Sequence, residues 1–208
     1  MRFFLAMLAS ALPAYVLGGV NGAIITSKMF YRKDIRKFGS GNPGLTNFYR
    51  VFGKGGALLV VAIDVIKTIA PVLFGGWVFR RYFGMPLFGE AVSGFFIMLG
   101  HCFPVYYNFK GGKGVMAAGA IFILLDWRIA IISWGTFILI TAFTKYVSLG
   151  AMLGATLFPP ALLVFDIGGI YEFAAVTMCV LLLIARHQAN IRRLVRGDES
   201  KFSFRRKP

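Results

Sequence analysis

The sequence predicts an all-α integral membrane protein, a polytopic bundle of about seven transmembrane helices, and three observations carry that reading. The residues are 58% hydrophobic, well above the ~45–50% of an ordinary soluble domain. Mean hydropathy is +0.72. The apolar residues gather into runs of bilayer length, and the basic residues gather between those runs. Phenylalanine and glycine number 22 and 25, as expected where lipid solvates side chains and small residues let helices approach closely.

A spanning helix needs ~20 apolar residues at a rise of 1.5 Å each. The first run covers 4–27. Its start, Met1-Arg2-Phe3-Phe4, has the look of a secretory signal, but the apolar stretch outruns an ordinary signal core, so a retained first span is expected. The second run, 56–79, holds Asp64 and Lys67 at helical i, i+3 spacing. Unpaired ions there would be costly, so mutual pairing is the economical reading and a transporter relay the sharper alternative. A third run covers 88–107. The fourth and fifth, 114–126 and 129–144, are separated only by Asp126-Trp127-Arg128, and the fourth is short. That pair reads either as two crossings or as a re-entrant hairpin, which leaves seven and five crossings both open. Runs at 148–166 and 172–186 complete the set, and 1–208 reads as a single transmembrane domain. Cys102 and Cys179 lie in or beside apolar runs, too isolated for a disulfide framework or a zinc site, and are expected as buried thiols.

Basic residues set the orientation. Seven lie in 28–55, two in 108–113, one at Lys145 and eight in 186–208, so 18 of the 23 fall on one side whichever crossing number holds. The N-terminus is therefore expected outside and the C-terminus in the cytoplasm. This topology accounts for the net charge of +15, and no recognition motif accompanies it, so nucleic acid is not an expected partner. The basic tail 201–208 reads as a stop-transfer and lipid-surface anchor.

Three polar segments interrupt the oil, and the topology puts all of them on the cytoplasmic face. The first runs from Ser40 to Arg50. Gly41 and Gly44 free its backbone, while Ser40, Asn42, Thr46 and Asn47 supply short hydrogen-bonding side chains for an anion-binding concavity. An ordinary surface turn is the bland alternative, but it does not account for eleven residues of dense polarity closed by Arg50.

The second segment runs from Gly100-His101 to Gly114. It is not a nucleotide-binding P-loop, which would need Gly at Tyr107 and Ser or Thr at Gly114. What remains is a glycine-rich entry to a helix, with Gly111 and Gly112 offering amides and Lys110 and Lys113 full charges to a phosphate. A loop that merely fixes topology is the alternative. His101, just before it, reads as either a packing residue or a substrate contact. In the third segment, His187, Asn190 and Arg193 recur at i, i+3, i+6, a stripe able to face a shared pocket or simply a solvated helix end. Carboxylates are scarce near these loops, so no metal or other cofactor is expected.

Taken in order, the segments resemble the bacterial PlsY family of acyl-phosphate-dependent glycerol-3-phosphate acyltransferases. The resemblance rests on Ser40-Gly41-Asn42-Pro43-Gly44 with Thr46-Asn47 and Arg50, on His101 with Phe103-Pro104 and Phe109-Lys110-Gly111-Gly112-Lys113-Gly114, and on Arg186-His187 with Asn190-Ile191. It covers essentially the whole chain. Leu45 stands where the family has Ala, and Met116-Ala117 where it has Ala-Thr, departures expected to touch only packing beside the loops.

The resemblance implies acyl transfer from an acyl phosphate to the sn-1 hydroxyl of glycerol 3-phosphate, giving lysophosphatidic acid and phosphate in phospholipid biosynthesis at the bacterial inner membrane. No obligate protein partner is implied beyond the membrane lipids. Catalytic roles fall to Ser40, Lys113, His187 and Asn190, and substrate contacts to Gly41, Asn42, Thr46, Asn47, Arg50, His101, Lys110, Gly111, Gly112 and Arg193. The H-x-x-x-x-D motif of thioester-using acyltransferases is missing, since Tyr106 follows His101 and Arg192 follows His187 at that spacing. A transporter of a phosphorylated metabolite, using the same cations without making bonds, is the other reading, and a membrane scaffold a third.

Overall fold

The computed structural model describes residues 1–202, so residues 203–208 of the basic tail lie outside the described residues. Among the described residues the structure is helical throughout, with no strand. Helices α1 (Arg2–Gly18) and α2 (Gly22–Tyr31) form the first span together. They are interrupted at Asn21, whose side-chain oxygen starts α2 by accepting from Ile24 N at 2.9 Å. The short helix α3 (Leu45–Phe52) follows the first polar segment, and α4 (Ala57–Phe83) and α5 (Pro86–Cys102) are the second and third spans.

Beyond the glycine loop come α6 (Val115–Leu125) and α7 (Trp127–Thr144), then α8 (Val147–Thr156) running into α9 (Phe158–Val164). Helix α10 (Ile170–Arg186) bends by 55° at His187 into α11 (Gln188–Arg196). Every expected span coincides with a helix, but their lengths differ. Five helical segments are long and apolar enough to cross a membrane, and the bent α10–α11 pair makes a sixth. Helix α6 has 11 residues, about 16 Å, against the ~30 Å of a hydrocarbon core.

The α6–α7 pair is thus a hairpin with one short arm. It turns at Asp126, whose carboxylate accepts from the backbone N–H of Arg128 and Ile129 at 2.9 and 3.1 Å and pairs with the Arg128 guanidinium at 2.8 Å. A single carboxylate therefore caps α7 and neutralises a cation at the turn.

Small residues set the closeness of the central helices. A Cβ on Gly75 of α4 would come within 2.7 Å of the Gly89 carbonyl oxygen of α5, so the two backbones meet where neither has a side chain. The largest apolar core cluster includes Ile97, Met98, Ile121, Phe122, Phe158 and Leu183. Leu58, Ile66, Phe143 and Val164 point outward, as lipid rather than water allows. Cys102 and Cys179 are buried free thiols, as expected. Asp64 and Lys67 pair at 2.8 Å inside the second span, satisfying the economical reading of their spacing.

Candidate active site

The three polar segments converge on one cavity of about 580 Å3, within the ~300–1,000 Å3 usual for small-molecule sites. The α5–α6 loop and the α10–α11 corner meet there through a hydrogen bond from Lys113 Nζ to Asn190 Oδ1. The chain therefore returns to the same end of the bundle between them, which preserves the shared-face expectation despite the short α6.

In the first segment Ser40, Asn42, Thr46 and Arg50 line the cavity. Thr46 and Arg50 sit four apart on α3, one turn above the other. Asn47 has a structural part besides the expected one. Its side-chain oxygen accepts from Ser40 N at 2.9 Å and its amide donates to the Phe38 carbonyl at 3.0 Å, so it shapes the loop and presents Ser40 while also lining the cavity. Gly41 is likewise a turn residue, not a ligand. Its φ of 71° favours glycine, and its N–H goes to Phe38 O at 3.0 Å. The loop is tied to the bundle by Asn21, which donates to the Pro43 carbonyl at 3.0 Å.

The glycine loop corrects the sequence reading most sharply. Gly111 N and Gly112 N donate to the carbonyls of Cys102 and His101 at 3.2 and 3.1 Å, so neither amide is offered to an anion. Their carbonyls accept from Arg186 Nη2 and Nε at 3.1 and 3.2 Å, and the same guanidinium lies 5.0 Å from the Phe103 ring centroid. The glycines are required because the loop lies directly on the α5 end: a Cβ on Gly111 would reach Pro104 Cδ at 2.5 Å, and one on Gly112 would strike the His101 ring. Lys110 is exposed and does not line the cavity. The left-handed residues Asn108 and Phe109, at φ 53° and 58°, turn the chain just before it. Only Lys113 enters, together with Gly114, Val115 and Met116 at the start of α6, where no side chain caps the first turn. Leu45 and Met116 also line the cavity, so both departures from the family pattern touch the site and not merely its packing.

The stripe of the third segment does face a shared pocket, since His187, Asn190 and Arg193 all line the cavity. His187 sits at the α10–α11 corner, and its Nδ1 lies 2.8 Å from the Leu183 carbonyl. A carbonyl only accepts, so Nδ1 carries the proton and Nε2 of the neutral ring keeps a lone pair.

The residue that sequence reasoning missed is Glu199. Its carboxylate accepts from Ser148 Oγ and Asn190 Nδ2, both at 2.6 Å, and from Arg193 Nε at 2.7 Å. Burial by itself would raise its pKa, but the hydrogen bonds from Ser148, Asn190 and Arg193 outweigh that and hold it below the ordinary value. The scarcity of carboxylates near the loops therefore fails in space, because a tail residue folds back over the α10–α11 corner. Gly197, at φ 77°, makes the turn, and Phe202 N fastens the segment to the Lys145 carbonyl at 2.7 Å. Ser148, at the start of a plain apolar run, gave no signal either. Lys113 feels the whole arrangement: burial, countered by Glu199 and reinforced by Arg193, Arg186 and Arg50, brings its ammonium down to about 8.

Beside the polar cavity lies an apolar slot between α6, α7, α8 and α10. Val115, Trp134, Phe137 and Ala151 belong to both. The cationic, hydrogen-bonding chamber is thus walled on this side by apolar side chains, although the slot behind them is only about 30 Å3 and is too small for a hydrocarbon tail as it stands. Among the described residues no cluster of His, Cys, Asp or Glu is arranged to hold a metal.

Known proteins share this architecture. The chain matches the family model described as glycerol-3-phosphate acyltransferase over residues 8–197. It is 37% identical over 197 residues to a glycerol-3-phosphate acyltransferase of Ralstonia pickettii (strain 12J), covering 95% of this chain and 94% of that one. A protein of the same name from Ureaplasma urealyticum serovar 10 is 31% identical over 240 residues, with 100% and 95% covered. Two crystal structures of PlsY, an integral membrane glycerol 3-phosphate acyltransferase, superpose at TM-scores of 0.85 and 0.83, with 30% and 29% identity and 95% of this chain and 96% of each covered. By length, spans and relatives alike, the chain belongs to the glycerol-3-phosphate acyltransferase family.

Proposed function

We propose that this acyltransferase takes its acyl group from an acyl phosphate and passes it to the primary hydroxyl of glycerol 3-phosphate at the cytoplasmic face of the bacterial inner membrane. The observation that carries the proposal is the cavity itself, where Ser40, Arg50, Lys113 and Arg193 surround a space that Val115, Trp134, Phe137 and Ala151 wall with apolar side chains. The solved PlsY relatives are described as a glycerol 3-phosphate form and a lysophosphatidic acid form. Glycerol 3-phosphate and the headgroup of such a product suit the chamber. The sequence count, in which 18 of the 23 basic residues fall in the connections that carry the three polar segments, at Lys145 or in the tail, supports a cytoplasmic orientation.

In this reading the hydroxyl oxygen of glycerol 3-phosphate attacks the acyl carbonyl carbon. The bond from that carbon to the bridging oxygen breaks, and phosphate leaves with the electron pair. Arg50, Lys113 and the Ser40 hydroxyl hold the donor phosphate and match charge as it develops. His187 Nε2 and Asn190 orient the acceptor, with Arg193 beside its phosphate. The departing phosphate takes the hydroxyl proton, so no strong base is required. The acyl chain leaves the chamber along the apolar wall of Val115, Trp134, Phe137 and Ala151, because the slot behind that wall, where Trp134 rests against Gly119, is too small to admit it.

Purified protein in detergent, supplied with palmitoyl phosphate and radiolabelled glycerol 3-phosphate, is expected to form labelled lysophosphatidic acid. Turnover without compartments excludes a transporter. Equal turnover with palmitoyl-CoA under matched conditions would sink the choice of donor.

A further inference from the structure

Beneath the glycine loop lies a buried polar cluster that the reaction above does not use. Asp64 and Lys67 of α4 meet His101 near the end of α5, and all three are under 7% exposed. Lys67 Nζ lies 2.8 Å from Asp64 Oδ1 and 2.9 Å from His101 Nδ1, and it also donates to the Val20 carbonyl. Asp64 Oδ1 accepts a second time, from Gly22 N at 3.2 Å. Charge neutralisation within the membrane explains Asp64 and Lys67 as a pair. It does not explain why a third, titratable ring is drawn onto the same ammonium.

Donor counting does. An ammonium has three N–H groups, and here each has an acceptor: a carboxylate, a carbonyl and the imidazole Nδ1. Nδ1 must therefore present its lone pair, and the neutral ring carries its proton on Nε2. An imidazolium would set two donors nose to nose. His101 Nε2 has no protein partner among the described residues and lies under Gly112, whose place no larger residue can take without striking it. His101 and Asp64 both border the cavity.

We infer that the Asp64–Lys67 pair is a positioning device that locks His101 in its Nε2–H tautomer, so that this N–H is presented to the cavity as a donor to the acyl carbonyl oxygen. The inference rests on the acyl-transfer reading for its ligand. Charge matching argues for the carbonyl over a phosphate. The cations Arg50, Lys113 and Arg193 come from loops and short helices at the end of the bundle, whereas His101 belongs to a spanning helix. A neutral donor on the bilayer side of those cations suits the uncharged oxygen on which negative charge develops during attack. The two histidines are then complementary: His187 offers a lone pair to the acceptor, His101 an N–H to the donor.

The full chain has 2 histidines, so in detergent-solubilised, histidine-labelled protein His187→Asn leaves His101 as the sole imidazole for nitrogen NMR. Nε2 is expected protonated and Nδ1 unprotonated. The opposite tautomer, or an imidazolium at neutral pH, overturns the lock. Lys67→Met is expected to release the tautomer and to lower kcat by about 10-fold or more, with KM for glycerol 3-phosphate changed less than about threefold, since the acceptor does not touch His101. A released tautomer with unchanged kcat refutes the catalytic use of the N–H.

Should Lys67→Met fail to fold, His101→Gln and His101→Ala decide. The glutamine amide places an N–H near the Nε2 position and is expected to retain at least about 10-fold more kcat than alanine. Equal loss in both overturns the donor role. The locked tautomer in His187→Asn, together with wild-type protein that shows no turnover with acyl phosphate, would instead overturn the acyl-transfer reading.

Discussion

Lys113 offers the sharpest test of the site, because it is the one cation of the glycine loop that enters the cavity. Replacing it with alanine removes the charged donor proposed for substrate phosphate and leaves Asn190 Oδ1 without its Lys113 partner. A hydrogen bond to a charged group contributes ~1.5–3 kcal/mol, which corresponds to a ~10- to 150-fold loss in kcat/KM. The pH dependence is more diagnostic than the size. Burial and the surrounding arginines outweigh Glu199 and bring the Lys113 pKa down to about 8. In the free protein the ammonium is present below that value and is lost as pH rises through it, so kcat/KM is expected to fall on the alkaline side. Lys113→Arg stays protonated throughout the accessible range. It should keep more activity than alanine and lose the alkaline limb. Initial rates of lysophosphatidic acid formation with limiting substrates, measured from pH ~6.5 to ~9.5 around that pKa, give both quantities. A loss below threefold for Lys113→Ala, or an alkaline limb that survives in Lys113→Arg, would return Lys113 to a role in topology alone.

Other outcomes follow from the same geometry. Glu199→Ala strips the acceptor shared by Ser148, Asn190 and Arg193; thermal unfolding should report a loss of about 2 kcal/mol or more, with Glu199→Gln less affected. Because the Glu199 pKa is held below its ordinary 4.5, its contribution is complete above that pH and is lost as pH falls through the lower folded value, so the wild-type advantage over Glu199→Gln should shrink in acid. His187→Asn and His187→Gln should retain more activity than His187→Ala with a pH–rate profile of the same shape. If both amides are as inactive as alanine and the acidic limb disappears, His187 is the base. Single cysteines at the exposed positions Ser40, Asn108 and Ser200, in a background lacking Cys102 and Cys179, should react only with thiol reagents that enter the cytoplasm; labelling from outside in intact cells reverses the orientation.

The apolar runs by themselves determined that this chain is a helical membrane protein, because burying peptide groups in hydrocarbon leaves a helix as the local solution for any ~20-residue apolar stretch. The spacing of Asp64 and Lys67 likewise foretold their pairing, and the i, i+3, i+6 stripe of His187, Asn190 and Arg193 its shared face, since both depend only on helical period. Roles that depend on which backbone groups remain unpaired were not legible. Gly111 and Gly112 read as an anion cradle until the turn showed their amides spent on Cys102 and His101 and their missing side chains required by the His101 ring and Pro104. Lys110 and Lys113 differ by only three positions, yet one faces out and the other in, because left-handed residues at 108 and 109 reverse the chain between them and α5. Glu199 was one charge in a charged tail. Only the tertiary fold brings it over a bend at His187 to three donors from α8 and α11, and such long-range pairing leaves no local periodicity to read.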